Sequence, residues 1–219
     1  MMKVLRVFVL AICGVAASNG ATLYDNGAIN NLGGNQMGSL VQAEDFTITA
    51  LSNITSVIFY SLEDVAGGGA YLGSIDWAVY SNNVSNQPGS LLGSGSASPT
   101  RVNLGVVAAL SYVAFENTMS ISVTGLVAGS YWLVLHNGPV ATTADSEFYW
   151  AWTDVNAGNT GSIRGLEQSL NPVSFTWDDT GQEHAFAVFG DPGGEVPEPS
   201  TMILISTGLA AIWLRRSGK

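Results

Sequence analysis

The stretch Met119-Ser120-Ile121-Ser122-Val123-Thr124 decides the fold class, because its apolar and polar residues alternate strictly. Successive side chains of a β-strand point to opposite faces, so Met119, Ile121 and Val123 share one face. A strand with this pattern buries one side in a core and leaves the other side in water. The stretch therefore predicts a half-buried strand of an antiparallel sheet.

The same kind of run recurs along the chain, filled with Val, Ile, Thr and aromatic residues. The further strand candidates are residues 46–50, 54–61, 75–81, 130–136, 147–153 and 184–189. Turn-forming residues separate them, including residues 88–89, 136–139 and 178–181. We therefore predict an all-β fold, a single antiparallel β-sandwich of jelly-roll-like form over residues 21–190, followed by a linker at residues 191–195.

Charge and composition exclude several classes of protein. Charged residues are 11% of the 219-residue chain, against about a quarter in typical domains, which excludes a coiled coil or a charged disordered chain. Between residues 21 and 195 the basic residues are Arg101 and Arg164, against 16 of the 17 acidic residues, so the formal charge of this segment is −14. A nucleic-acid-binding surface needs the opposite sign, and we expect no nucleic-acid partner.

The N-terminus has the layout of a secretory signal peptide. Lys3 and Arg6 precede an apolar run at residues 7–17, and small residues follow it. The run is too short for a stop-transfer helix, so we assign residues 1–20 to a cleaved signal. Cys13 is the only cysteine and lies in this signal, so we expect no disulfide and no thiol catalysis in the mature chain. A lipoprotein signal ending at Cys13 is the weaker interpretation, because the bulky Ile12 precedes it.

The C-terminus has three parts: VPEPS at residues 196–200, an apolar run at residues 201–214, and a basic end that contains Arg215, Arg216 and Lys219. As a helix the run would be roughly 21 Å long at about 1.5 Å per residue. The hydrocarbon core of a bilayer is roughly 30 Å thick, so the helix would span it only where the membrane thins. The basic end would then stay in the cytoplasm.

This layout resembles the PEP-CTERM sorting signal of Gram-negative bacteria. The motif residues are Val196, Pro197, Glu198, Pro199 and Ser200. The resemblance implies that an exosortase, a membrane-embedded cysteine protease, recognises the tail and cleaves near it while residues 201–214 are inserted in the inner membrane. It also implies export, an organism that makes an exopolysaccharide matrix, and delivery to the cell surface or to that matrix. The apolar tail would serve as a sorting handle.

The segment between the two signals is similar to a recurring β-sandwich module of secreted bacterial proteins. The matching stretches are residues 43–48, 77–80, 88–92, 131–139, 148–150 and 181–190. The resemblance implies the sandwich fold and no particular activity.

Three tryptophans are candidate carbohydrate contacts, because the flat face of an indole can stack on a sugar ring. On a strand, Phe148, Trp150 and Trp152 would share one face, which is either an exposed platform for sugars or part of the core. Trp177 stands beside two aspartates at a predicted turn and is the better candidate for exposure.

Four carboxylates are candidate calcium ligands, and calcium is the one cofactor that the sequence suggests. They are Asp25, Glu44, Asp178 and Asp179. The chain lacks an EF-hand loop and a Gly-Asp nonapeptide repeat, so such a site would combine scattered carboxylates with backbone carbonyls.

No catalytic motif stands out. The chain has no G-x-S-x-G elbow and no P-loop, and its two histidines form no zinc motif. His136 precedes Asn137-Gly138-Pro139, which favours a turn-capping or core role. Glu44 and Asp45 would point to opposite faces of a strand, so they cannot form the facing pair that glycoside hydrolysis needs.

We therefore expect a non-enzymatic, exported protein with a structural or adhesive role and polysaccharide as its candidate ligand. Two alternatives remain: a polysaccharide lyase or hydrolase on the same fold, and an unprocessed membrane-anchored surface protein. A cleft that holds two facing acids or a His–carboxylate pair would favour the enzyme.

Overall fold

The computed structural model describes residues 20–64, 70–140, 147–155, 167–171 and 176–193. Within these ranges the chain forms β-strands and no helix, which confirms the all-β prediction. The strands are β1 (Ala21–Asp25), β2 (Gly34–Gln36), β3 (Val41–Ile48), β4 (Ser52–Asp64), β5 (Ile75–Asn82), β6 (Pro88–Ala97), β7 (Thr100–Val107), β8 (Tyr112–Leu126), β9 (Gly129–Asn137), β10 (Phe148–Ala151), β11 (Glu167–Asn171), β12 (Thr176–Asp179) and β13 (Phe186–Pro192).

The strands form two antiparallel sheets. In the seven-stranded sheet the long strand β4 is central. On one side of β4 lies β8, with β7 beyond it. On the other side β13 and β10 follow one another along β4, with β1 beyond β13 and β2 beyond β10. The second sheet has six strands in the order β12-β11-β3-β9-β5-β6.

One hydrophobic core lies between the two sheets. Phe46 from the six-stranded sheet is fully buried and contacts Phe186 of the seven-stranded sheet edge to face. Met119, Ile121 and Val123 are buried, as their alternation predicts, while the polar residues between them are exposed. The two sheets therefore pack face to face, in the manner of a β-sandwich.

Every predicted strand overlaps an observed one, although the boundaries differ. Residues 46–50 lie at the end of β3, residues 119–124 lie within β8, and residues 147–153 contain β10. The strands that were not predicted are β1, β2, β6, β7, β11 and β12. Strands β6 and β7 are largely exposed on both faces, so neither has the alternation that marks a half-buried strand.

The predicted turn at residues 178–181 begins too early. Asp178 and Asp179 are the last residues of β12 and pair with β11. The chain turns after them, where Asp179 Oδ1 accepts a hydrogen bond of 2.7 Å from the backbone N–H of Gly181. Gly181 has a φ of +66°, a conformation that glycine adopts without strain.

The predicted linker also begins too early. Asp191 and Pro192 belong to β13 and pair with Asn53 and Ser52 of β4. The backbone N–H of Gly193 then donates to the carbonyl of Leu51. The folded domain therefore continues to the last described residue, and a linker can begin only after it.

Both ends of the described chain lie at one end of the sandwich, which we call the tail pole. Ala21, the first residue of β1, pairs with Gly190 near the end of β13. Short connections after β3 and after β8 cross between the sheets at the same end. Strand β9 starts at this pole at Gly129 and runs away from it to His136, a distance of about 23 Å at roughly 3.3 Å per residue.

Residues 1–19 and 194–219 lie outside the described ranges. The predicted signal peptide, apart from Gly20, and the predicted apolar helix at residues 201–214 are therefore not described. Within the described ranges no helix is long and apolar enough to cross a membrane.

Candidate ligand-binding site

A cavity of about 410 Å³ lies on the outer face of the six-stranded sheet. The strand register places its lining residues in rows across the sheet. In one row Leu170 pairs with both Val41 and Trp177. Asp76 of β5 pairs with both His136 of β9 and Ser96 of β6. Because alternate residues of a strand face the same way, these side chains line one surface opposite the core.

Aromatic side chains line part of this cavity. Tyr80 and Trp177 both line it and both are half-buried, so part of each ring is accessible. Trp132 packs in the same outer cluster but is fully buried, and its Nε1–H donates to Asn82 Oδ1 at 2.8 Å. Among the three predicted carbohydrate contacts, Trp177 is therefore the one that lines this cavity.

The polar lining of the cavity is rich in hydrogen-bond acceptors. Asp76 Oδ2 accepts a bond of 3.2 Å from the backbone N–H of Val140. His136 Nδ1 lies 2.9 Å from the carbonyl oxygen of Gly138, so Nδ1 carries a proton, and in this tautomer Nε2 is the acceptor. This contact agrees with the turn-capping role predicted for His136. Ser94 and Ser96 add two hydroxyl groups.

Two predicted carbohydrate contacts lie elsewhere. Trp150 is fully buried in the core, where its ring stacks on His184 with centroids 4.5 Å apart. Its Nε1–H donates to the carbonyl of Ala185 at 3.0 Å, which satisfies the indole inside the protein. Trp150 is therefore a core residue and has no face for a sugar.

Trp152 lies just beyond the end of β10 and does not share a face with Trp150, contrary to the alternation argument. It lines a cavity of about 150 Å³ with Tyr149 and Leu62, on the outer side of the seven-stranded sheet. Its Nε1–H donates to Asn35 Oδ1, and its ring covers Gly33. The strand ends at Ala151, so the period of two no longer applies at Trp152.

The four predicted calcium ligands do not form one cluster. Asp25 is exposed on β1 of the seven-stranded sheet and accepts a bond from Gly27 N–H. Asp178 and Asp179 are exposed on β12, an edge of the other sheet, while Glu44 is fully buried. Across the described ranges no three His, Cys, Asp or Glu side chains come together to hold a metal ion. The four residues lie apart because they belong to different sheets and faces, and calcium binding stays a prediction.

Glu44 instead belongs to a buried polar cluster with Asn26, Glu183 and His184. Its Oε2 accepts the backbone N–H of His184 at 2.8 Å and lies 2.9 Å from His184 Nδ1. Burial lowers the pKa of His184 to about 3, so the ring is neutral and donates through Nδ1. Asn26 Nδ2 donates to the carbonyl of His184 at 2.8 Å and to Glu183 Oε2 at 3.4 Å.

Glu183 is the unusual acid of this cluster. Burial is the main cause that raises the pKa of its carboxyl to about 7; the hydrogen bond from Asn26 lowers this pKa, and the nearby Asp45 carboxylate adds to the rise. The cluster joins the end of β1 and the middle of β3 to the segment before β13, and its residues are at most 4% exposed. A polymer cannot reach it, so we interpret it as a structural element.

Arg101 is engaged on β7 of the seven-stranded sheet, whereas the cavity lies on the six-stranded sheet. Its guanidinium pairs with Glu63, and its Nε donates to Asn117 Oδ1 at 2.9 Å. It also lies 4.4 Å from the ring centre of Tyr71 and 4.2 Å from that of Phe115. Among the described residues Arg101 is the only Lys or Arg, so no cation of this kind lines the cavity.

Sequence reasoning missed Asp76 and Tyr80 as site residues. The alternation across residues 75–81 does place them on one face with Ala78, opposite the core residues Ile75 and Val79. The alternation shows that these residues face away from the core. It does not show which other strands contribute residues to the same surface. The partners come from the register of β5 with β6 and β9, which a single sequence does not reveal.

Comparison with known proteins gives one match. The family model described as the PEP-CTERM protein-sorting motif matches residues 195–217. No curated protein and no solved structure matches the chain. The match covers the predicted motif at residues 196–200 and nearly all of the apolar and basic parts that follow it. The chain therefore carries a PEP-CTERM protein-sorting motif at residues 195–217, after an all-β domain.

Proposed function

We propose that this chain is an exported, exosortase-sorted protein of the cell surface or exopolysaccharide matrix, with a non-enzymatic adhesive role. In this proposal the cavity on the six-stranded sheet binds polysaccharide. The sorting motif at residues 195–217 is the observation that carries the proposal. The motif implies an exosortase as processing enzyme, a passage through the inner membrane, and surface display.

The cavity supports a binding role. It combines the accessible rings of Tyr80 and Trp177 with the polar groups of Asp76, Ser94 and His136. Apolar ring faces stack on the C–H face of a pyranose, and a few fixed polar groups then select the orientation of its hydroxyls. Because the cavity of about 410 Å³ lies on an open sheet face, a repeating chain could enter it with part of its length outside.

The position of the tail supports display of that cavity. In the sequence the sorting motif follows β13, which ends at the tail pole. Asp76 and His136 lie at the other end of the sandwich, near the start of β5 and the end of β9. A domain that is held by its C-terminal tail would therefore turn the cavity away from the membrane.

Mass spectrometry of both termini of the protein from native cells tests the sorting step. We expect loss of the N-terminal signal and loss of the tail near Pro199. The variant P197A/E198A should retain its tail, and P99A, which changes a proline between β6 and β7, should be processed normally. Surface-located protein that still ends at Lys219 would refute processing.

The unprocessed-anchor alternative makes a different prediction about the basic end. If only charge matters, changing Arg215 and Arg216 to Lys leaves the placement unchanged. If an exosortase reads the arginines, the same change impairs processing and the tail remains. Fractionation of the R215K/R216K variant separates the two cases.

One observation favours the enzyme alternative. Asp76 and His136 are direct cross-strand neighbours in the cavity, which is a His–carboxylate pair of the kind an acid–base catalyst uses. The test is release of new chain ends from polysaccharide by the wild-type protein and by the variant H136A. Activity that depends on His136 would establish an enzyme and overturn the adhesive role.

A further inference from the structure

We propose that the cavity on the six-stranded sheet selects polysaccharides built from uncharged sugars and rejects those that carry carboxylate or sulfate groups. The inference rests on the proposed carbohydrate binding and names its ligand class. It depends on three features: the acceptors that line the cavity, the absence of a Lys or Arg from its described lining, and the charge of the domain.

The polar groups that line the cavity include hydrogen-bond acceptors, which suit a ligand that carries hydrogen-bond donors. One carboxylate oxygen of Asp76 accepts the backbone N–H of Val140, and the group has further acceptor positions for a ligand. His136 uses Nδ1 for the carbonyl of Gly138, which leaves Nε2 as an acceptor. Adjacent hydroxyl groups of a neutral sugar supply the matching donors. An anionic sugar places acceptor oxygens where the cavity already has them.

No positive charge in the described lining offsets Asp76. The charged or titratable lining groups are Asp76, Tyr80 and His136, and Lys and Arg are absent among them. Arg101 lies on β7 of the other sheet and is paired with Glu63. A ligand carboxylate in the cavity would therefore face Asp76 without a neutralising partner, which disfavours binding.

The negative charge of the whole domain also disfavours anionic ligands. The segment of residues 21–195 has a formal charge of −14, which repels a polyanion before it reaches the cavity. Salt screens this repulsion, since the Debye length falls from about 10 Å at 0.1 M to about 3 Å at 1 M. Stacking on Tyr80 and Trp177 does not depend on salt, so binding of a neutral chain should change little.

Affinity electrophoresis and calorimetry of the full chain with matched polymers test the selection. Each pair shares a backbone and differs in charge: hydroxyethylcellulose and carboxymethylcellulose, dextran and dextran sulfate, and methyl-esterified and free polygalacturonate. We expect the neutral member of a bound pair to bind at least tenfold more tightly at 20 mM NaCl. At 500 mM NaCl the difference should narrow while the affinity for the neutral member stays constant.

Two charge variants locate the effect. D76N should reduce the discrimination at low salt, because it removes the carboxylate inside the cavity. D178N is the matched control, because it also removes one carboxylate. Asp178 follows Trp177 in β12, so its side chain points away from the face that carries the cavity. Y80A should abolish binding of the neutral polymer, which ties binding to this cavity.

Three results would contradict the proposal, each at a different step. Equal or tighter binding of the anionic member overturns the selection while leaving carbohydrate binding in place. Equal effects of D76N and D178N overturn the role of Asp76 in the cavity. Absence of binding to every polymer, by a protein that unfolds cooperatively, refutes the proposed carbohydrate binding itself.

Discussion

Replacing Glu183 by Gln should stabilise the protein at pH 8 and have little effect at pH 5. Glu183 is 4% exposed and lies beside Asn26, Glu44 and His184, and burial raises the pKa of its carboxyl from 4.5 to about 7. At pH 8 the folded state therefore holds a buried carboxylate that costs free energy. A Gln amide has the same shape as the protonated acid and never ionises.

The expected magnitude follows from proton linkage. The folded state keeps the Glu183 proton up to about pH 7, while the unfolded chain releases it near pH 4.5. Stability from this group is therefore present at low pH and is lost as the pH rises through that window, by up to about 3 kcal/mol at roughly 1.4 kcal/mol per pH unit. E183Q should gain about 3 kcal/mol at pH 8 and less than about 1 kcal/mol at pH 5.

His184 has the opposite dependence, which makes the experiment more specific. Burial lowers the pKa of its ring from 6.5 to about 3, so its contribution to stability falls as the pH drops below 6.5. Between pH 4.5 and 6.5 the contributions of Glu183 and His184 to the stability of the wild-type protein oppose each other. E183Q removes the opposing contribution of Glu183, so the stability of this variant should rise more steeply with pH across that range than that of the wild-type protein.

Urea unfolding followed by tryptophan fluorescence at half-unit steps from pH 4.5 to 8.5 measures both curves. D178N provides the control, since it removes one exposed negative charge from β12 without touching the buried cluster. Equal stability of E183Q and the wild-type protein at pH 8 would refute the raised pKa and the linkage argument built on it.

Three further predictions follow from contacts of the fold. R101M should lower the free energy of unfolding by about 3 kcal/mol, because it leaves the Glu63 carboxylate buried without its arginine partner. The double variant R101M/E63Q should recover most of this loss in urea unfolding. A double variant no more stable than R101M would contradict this account of the pair. G190A should lower the free energy of unfolding by at least about 2 kcal/mol, because its Cβ would overlap the carbonyl of Asn53. In G129A the added Cβ would make only ordinary contacts with the Tyr131 ring, so this variant should melt like the wild-type protein. Amide exchange should be slowest in the central strand β4 and faster in the exposed edge strand β6, and uniform exchange would contradict the topology.

The half-buried strands could be predicted from the sequence, because one face in the core and one in water leave a period-two signal. Residues 54–61 and 119–124 are the clearest cases, and both lie in the long strands β4 and β8. Strands β6 and β7 left no such signal, because Gly and Ser fill much of β6 and both strands are exposed on each face. Edge strands need no alternation to pair, so pattern reasoning passes over them.

The candidate site could be predicted only in part. Trp177 was identified by its residue type, but Asp76 and His136 are brought together by the register of β5 on β9 across 60 residues of sequence. Alternation showed that Phe148 and Trp150 share a face without showing that this face is the core. The sequence also did not show that the four carboxylates proposed to bind calcium lie on different sheets and faces, since strand pairing decides which carboxylates meet.

The place of β13 has a mechanical consequence. Its C-terminal end leads to the sorting tail, and hydrogen bonds to β1 and β4 flank it on both sides. A force between the tail and a polymer held in the cavity would pull β13 along its own axis. All of these bonds would then share the load in shear, whereas a strand peeled from an edge breaks its bonds one at a time. Under the proposed adhesive role, tension between a bound polymer and the tail would load β13 in this shear geometry.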